Sequence, residues 1–222
     1  MSDLIASALQ RIKESIPEHV TLVAVSKTKP LALLQEAYGA GQRHFGENRV
    51  QEVQEKAPAL PADIKWHFIG HLQSKKVKHI IQHTHLIHSI DSNKLLEEVN
   101  KRAFQANKTQ DVLLQMHIAQ EETKYGLDQK ELHELIEIAL NELKNIRILG
   151  LMGMATFTED KAQVRAEFQR LKLLFDEAKA AYFKDLSYFT QLSMGMSGDY
   201  DIAIEEGSTM VRIGSSIFGS RA

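Results

Sequence analysis

The chain has 222 residues, of which 43% are hydrophobic and 25% charged, with a formal charge of −2. This is a globular composition, and the small charge gives no electrostatic reason to expect nucleic acid or an anionic membrane as a partner. No cysteine is present, which excludes disulfides, thiolate metal sites and cysteine nucleophiles. The opening M-S-D-L-I-A-S-A-L-Q-R-I-K reads as an amphipathic helix interrupted by charges rather than a secretory signal, and no apolar run is long enough to span a bilayer. A cytoplasmic protein is expected.

Residues 22–25 form an unbroken apolar run rich in β-branched side chains, the pattern of a strand buried on both faces. Lys27 follows at the carboxyl end of that strand, and Pro30 opens a helix carrying Leu33, Leu34, Ala37 and Tyr38. Residues 43–46 are the weakest strand and lead into G-E-N. Val50, Val53 and Ala57 then share a helix face that Pro58 and Pro61 end. Residues 64–69 read as a strand, and the stretch after Gly70 as a helix bearing Leu72, Val77, Ile80 and Ile81. The next strands are expected at 86–90 and 112–118, flanking a helix with Leu95, Leu96, Val99 and Ala103 inward. After the loop E-E-T-K-Y-G, Asp128 caps a helix striped by Leu132, Leu135, Ile136, Ala139 and Leu143. A strand at 146–151 precedes a long helix with Val164, Phe168, Leu171, Phe175, Ala178 and Tyr182 on its inner face. Strands at 188–192 and 209–213 enclose a short helix at 199–205.

Eight strands alternating with helices, with no linker or composition break, predict one α/β domain over 1–222: a (β/α)8 TIM barrel with an extra N-terminal helix. The alternation also fits an open doubly wound sheet, and both architectures place ligands beyond the carboxyl ends of the strands.

Lys27 stands at that end. A lysine losing hydration there deprotonates more easily and can hold an aldehyde as a Schiff base. Alternatively, Lys27 simply begins a surface loop. The loop Q-L-S-M-G-M-S-G-D-Y after the seventh strand supplies Ser193, Ser197, Gly195 and Gly198, and V-R-I-G-S-S after the eighth supplies Gly214, Ser215 and Ser216 for an anion. A lysine for an aldehyde and a nest for a phosphate suggest pyridoxal 5′-phosphate (PLP). Arg212, ending the last strand, would donate to the pyridine nitrogen and disfavour its protonation. Pairing with Glu205 or Glu206 is the structural alternative.

The segments A-V-S-K-T-K-P, H-F-G-E-N, H-F-I-G-H-L-Q-S-K-K, G-L-M-G-M, L-S-M-G-M-S-x-D and V-R-I-G-S-S-I-F-G together resemble the pyridoxal-phosphate homeostasis protein family over about residues 21–219. The resemblance implies a fold-type III barrel, similar to the N-terminal domain of alanine racemase, that binds and supplies PLP. It implies the cofactor on Lys27, Arg212 at the ring nitrogen, Ser193, Gly214 and Ser215 on the phosphate, and Asn48 and His67 beside the ring. Met194, next to Ser193, belongs to the same set of cofactor contacts.

Racemization at an amino-acid Cα needs acid–base groups on both faces of the bound imine. In alanine racemase the opposing tyrosine comes from a second domain of a partner chain, which has no counterpart before Ala222. Tyr125 and Tyr200 are read as rim or packing residues. A monomeric cofactor carrier serving apo-enzymes is therefore expected, with a small PLP-dependent racemase or decarboxylase as the alternative. His79 and His83, with His85 and His88 close behind, superficially resemble a metal cluster but read as a solvated helix end, as do the charges of Lys75, Lys76 and Lys78.

Overall fold

The computed structural model describes residues 2–121 and 125–219; Lys124 and its two predecessors in the E-E-T-K-Y-G loop lie outside them. Eight parallel strands close into a barrel in chain order: β1 (Thr21–Val25), β2 (His44–Glu47), β3 (Lys65–Phe68), β4 (Thr84–Ile90), β5 (Gln110–Gln115), β6 (Ile146–Met152), β7 (Gln191–Ser193) and β8 (Met210–Ile213). Closure is direct, with Ala24 paired to Phe45 on one side and to Ile213 on the other. The open-sheet alternative is thereby excluded. Lys27 and the segment after β8 emerge from adjacent strands.

The helices wrap the barrel as the sequence patterns direct. α1 (Ser2–Ser15) buries Ile5, Leu9 and Ile12 against Leu34 and Ala37 of α2 (Leu31–Gly39) and against Ile217 and Phe218. α3 (Val50–Lys56) is followed by a 3-10 turn starting at Ala57, and α4 (Asn93–Gln105) buries the four predicted apolar residues. α5 (Gln129–Glu142) opens with a capping box: the Asp128 carboxylate accepts from Glu131 N, and the Glu131 carboxylate accepts from Asp128 N. α6 (Lys161–Tyr182) lays Val164, Phe168, Leu171, Phe175 and Ala178 against the sheet, and α7 (Tyr200–Glu205) and α8 (Ser215–Phe218) are short.

Three local expectations fail, the first at β5, expected over 112–118 but ending at Gln115. No α-helix follows β3; a 3-10 segment, Ser74–His79, stands there. Leu72, Val77, Ile80 and Ile81 are all buried, but their uneven spacing seats a compact turn rather than a regular helical stripe. β7 starts later than 188, because Phe189 is drawn into an aromatic stack with Phe183 and Phe175, ring centroids 4.1 and 4.8 Å away.

Inside the barrel the packing divides. Val23, Leu86, Leu113, Met152 and Met210 form an apolar cluster of their own. The rest of the lumen is crossed by polar side chains from β2, β3, β4, β7 and β8.

Candidate functional site

A cavity of about 720 Å³ opens at the carboxyl ends of the strands. Its wall includes Lys27 after β1, Asn48 after β2, Arg212 on β8, and Gly214 and Ser215 beyond it, joined by Ser197 from the loop after β7 and Thr156 from the loop after β6. Five of the eight predicted site residues thus converge on one space. Asn48 Oδ1 is buried without a hydrogen-bond partner in the protein, so it is an acceptor held ready for a ligand donor. The Asn48 backbone is pressed against Gly70, where a Cβ would lie 2.2 Å from the Asn48 carbonyl oxygen. Only glycine fits at that position.

The turn carrying Lys27 is held from below. Thr28 has φ 63°, a left-handed conformation that costs a β-branched residue about 1–3 kcal/mol. Its N–H donates to Glu52 Oε2 at 2.7 Å. Lys56 Nζ donates to the Ser26 carbonyl at 2.9 Å, to Glu47 Oε1 at 2.8 Å and to Glu52 Oε2 at 2.6 Å, while Ser26 Oγ donates to Glu47 Oε1 at 2.6 Å. Glu47 is fully buried. Burial raises its pKa to about 7, opposed by the hydrogen bonds from Lys56 and Ser26. This network was not anticipated from the sequence. The sequence signals were an acid closing a strand in H-F-G-E-N and the Glu52–Lys56 pair one helical turn apart.

His67, Ser193 and Met194 do not reach the cavity wall. Met194 is fully buried in the outer apolar core. His67 and Ser193 lie in the barrel lumen, one step below the site. His44 Nδ1 is 2.9 Å from His67 Nε2, His67 Nδ1 is 2.9 Å from His88 Nε2, and His88 Nδ1 is 3.1 Å from Ser193 Oγ. Arg212 Nη1 donates to the same Ser193 Oγ at 2.6 Å, and Nη2 donates to the Gly153 carbonyl at 3.0 Å. The Glu205 and Glu206 carboxylates pair with Arg165 instead, which removes the alternative reading of Arg212. Burial lowers the Arg212 pKa to about 10, so it remains cationic at neutral pH. His88, grouped by sequence with a solvated helix end, is fully buried on β4. Strand alternation turns it into the lumen.

Lysine at a strand end, a cation fixed on the neighbouring strand, and the backbone amides at Gly214 and Ser215 suit a ligand carrying an aldehyde, a ring acceptor and an anionic group. Fold and site together define an alanine-racemase-type barrel: the family "alanine racemase, N-terminal domain" matches residues 2–222. The chain is 46% identical over 201 residues to the pyridoxal phosphate homeostasis protein of Aquifex aeolicus, covering 90% of this chain and 86% of that one. It is 39% identical to the human protein of the same name, covering all of this chain and 84% of that one. Among solved structures, PipY of Synechococcus elongatus PCC7942 with PLP bound superposes with a TM-score of 0.88 at 37% identity, over 97% of this chain and 100% of that one. An alanine racemase of Clostridium difficile shares the fold alone, with a TM-score of 0.81 at 16% identity, over 99% of this chain and 60% of that one. The chain belongs to the pyridoxal phosphate homeostasis protein family. Its relatives are named for homeostasis of the cofactor rather than for a reaction.

Proposed function

We propose that this protein binds PLP at the strand-end cavity, holds it as a Schiff base on Lys27, and buffers or supplies it to apo-enzymes as a cytoplasmic monomer. The observation that carries this reading is the convergence of Lys27, Asn48, Arg212, Gly214 and Ser215 on one cavity. The residues suit the cofactor chemically. Lys27 offers an amine, Arg212 a donor for the ring nitrogen, and Gly214 and Ser215 backbone amides for the phosphate. Asn48 Oδ1 adds a buried acceptor without a protein partner on the same cavity wall. When bound, PLP supplies an aldehyde that exchanges reversibly between amines, which is what a store of cofactor needs.

Ser193 and Met194 act in this reading from behind the wall, Ser193 by fixing Arg212 and Met194 by packing. His67 acts through the same line of hydrogen bonds rather than beside the ring. Among the described residues no helix is long and apolar enough to cross a membrane.

The test is borohydride reduction of the PLP-loaded protein followed by peptide mass mapping. The pyridoxyl group is expected on Lys27. Predominant labelling of Lys29 or Lys161, the other lysines of the cavity wall, or of Lys124 would overturn the assignment.

A further inference from the structure

The hydrogen-bonded line His44–His67–His88–Ser193–Arg212 runs from a half-exposed residue at the start of β2 to the cation on the cavity wall. The His88–Ser193 link joins β4 to β7, which are not neighbours in the barrel, so it crosses the lumen. Every internal nitrogen in the line faces another member, and the roles can be assigned from one end. Arginine has no acceptor, so Ser193 Oγ must accept from Arg212. Ser193 is fully buried, and His88 Nδ1 is the acceptor at hand for its hydroxyl hydrogen. The reverse role would leave that buried hydrogen without an acceptor, which is disfavoured. With His88 Nδ1 accepting, its Nε2–H donates to His67 Nδ1, and the His67 Nε2–H donates to His44 Nδ1.

We propose that His44, His67 and His88 are positioning residues for Arg212, acting as a one-way line of neutral imidazoles that each carry their hydrogen on Nε2. The line makes Ser193 Oγ a polarised acceptor, and it fixes Nη1 while the Gly153 carbonyl fixes Nη2, so the guanidinium is held in one plane at the cavity wall. This role rests on the proposed PLP site, with Arg212 meeting the ring nitrogen. The hydrogen-bond polarity does not depend on it.

The surroundings favour neutral rings. Burial is the largest influence on all three and lowers their pKa values, His44 to about 4 and His67 and His88 well below the ordinary range. The charged or titratable groups facing them act in the same sense: Lys65 on β3 and His85 on β4 near His44 and His67, and Arg212 on β8 with His85 near His88. Asp111, Lys108 and Arg147 act on His85, and Asp199 on Arg212.

The first experiment is nitrogen NMR of the full chain labelled with ¹⁵N-histidine and freed of cofactor. Three imidazoles are expected with unprotonated Nδ1 and protonated Nε2, unchanged between about pH 8 and pH 6, below which an ordinary histidine becomes mostly charged. In His44→Leu, altered at the half-exposed end, the His88 resonances should shift as well as those of His67. A Nδ1–H tautomer, a charged ring at neutral pH, or a disturbance confined to His67 would overturn the proposal.

The second experiment titrates PLP and its 1-deaza analogue, which lacks the ring nitrogen. The unaltered protein should prefer PLP by about tenfold, the worth of one charge-assisted hydrogen bond. In His88→Leu, or in His44→Leu should the former fail to fold, that preference should shrink, most strongly in His88→Leu. Equal weakening of both ligands would mean a merely structural role and overturn the proposal. Failure of the unaltered protein to bind PLP would overturn the cofactor site and the positioning role, while the NMR result would still decide the polarity of the line.

Discussion

Lys56 Nζ lies 2.8 Å from Glu47 Oε1 and 2.9 Å from the carbonyl oxygen of Ser26, the residue immediately before Lys27. One buried ammonium therefore neutralises a fully buried carboxylate and ties down the strand end that carries the candidate cofactor lysine. Lys56→Met leaves Glu47 without its counter-charge and frees the Ser26 carbonyl. Breaking a buried pair in this way costs about 3–5 kcal/mol, and denaturant unfolding should register that order of loss. The double variant Lys56→Met with Glu47→Gln should recover part of it, because the fully buried carboxylate is then removed and only the more exposed Glu52 lacks its partner. A loss below about 1 kcal/mol in the single variant would show the pair to be solvated.

The buried imidazoles set the acid limb of stability. His67 and His88 have folded-state pKa values depressed well below the ordinary value of about 6.5. The unfolded chain therefore binds more protons, and their stabilisation, present above pH 6.5, is lost as pH falls. Two such groups give a slope approaching about 3 kcal/mol per pH unit below that point; His44, half-exposed, adds less. Glu47 acts in the opposite sense. Its raised pKa of about 7 means a contribution fully present below its unfolded value of about 4.5 and lost as pH rises through 7. Denaturant midpoints from about pH 5 to pH 8 should fall on the acid side. Between about pH 4.5 and 7 the Glu47 contribution opposes that of the histidines, so Glu47→Gln should steepen the rise of stability across the histidine limb. A profile flat between pH 5 and 6.5 would mean that the histidines are charged in the folded state.

The sequence carried the barrel because its information is local: each strand is a short apolar run, and each helix has its own stripe and stop. It carried Lys27 and the Gly214–Ser215 turn for the same reason, since each sits directly after a strand. The line beneath the site was not legible in the same way. Its links join residues 23, 21, 105 and 19 positions apart, and His88 resembles its neighbours His83 and His85 until strand alternation turns it inward. His67 and Ser193 were drawn into the cofactor's contacts because their segments matched. Position along the strand then placed them a step below the cavity. The turn after β3 failed for a different reason: burial of Leu72, Val77 and Ile80 was readable, but the backbone that buries them was not.

Thr28 offers a test of how the Lys27 turn is held. Its φ of 63° suits glycine, so Thr28→Gly relieves strain while adding freedom to the unfolded chain. The net expectation is a gain of up to about 1 kcal/mol in unfolding stability. The looser turn should weaken PLP binding several-fold, because Lys27 is no longer confined between Ser26 and a fixed Thr28. Calorimetric unfolding and a cofactor titration measure the two effects separately. Lower stability together with unchanged affinity would mean that the left-handed turn carries neither strain nor positioning.

In the proposed complex the cofactor is held for exchange rather than for turnover of amino acids. Arg212 keeps its charge at neutral pH, with its pKa lowered only to about 10, and its Nη1 and Nη2 are fixed on Ser193 Oγ and the Gly153 carbonyl. In the proposed site this permanent cation would meet the ring nitrogen and withhold the proton that would make the ring a strong electron sink. Racemization also requires a second acid–base group on the face opposite Lys27. Tyr125 and Tyr200, read from the sequence as rim or packing residues, are not among the residues lining the cavity: Tyr125 stacks on His71 with ring centroids 4.2 Å apart, and the Tyr200 hydroxyl is 3.2 Å from Ser15 Oγ. The PLP-loaded protein incubated with L-alanine and other amino acids in deuterated water should therefore exchange amines while releasing almost no D-isomer, decarboxylated amine or Cα-deuterated product. It should also restore activity to a PLP-dependent apo-enzyme. Chiral chromatography and mass spectrometry measure the first set, and a coupled reactivation assay the second. Turnover of any amino acid at an enzymatic rate, on the order of 1 s⁻¹ or faster, would replace the carrier with a racemase or decarboxylase. Glu159 and Asp199, the carboxylates of the cavity wall, would then be the first residues to substitute.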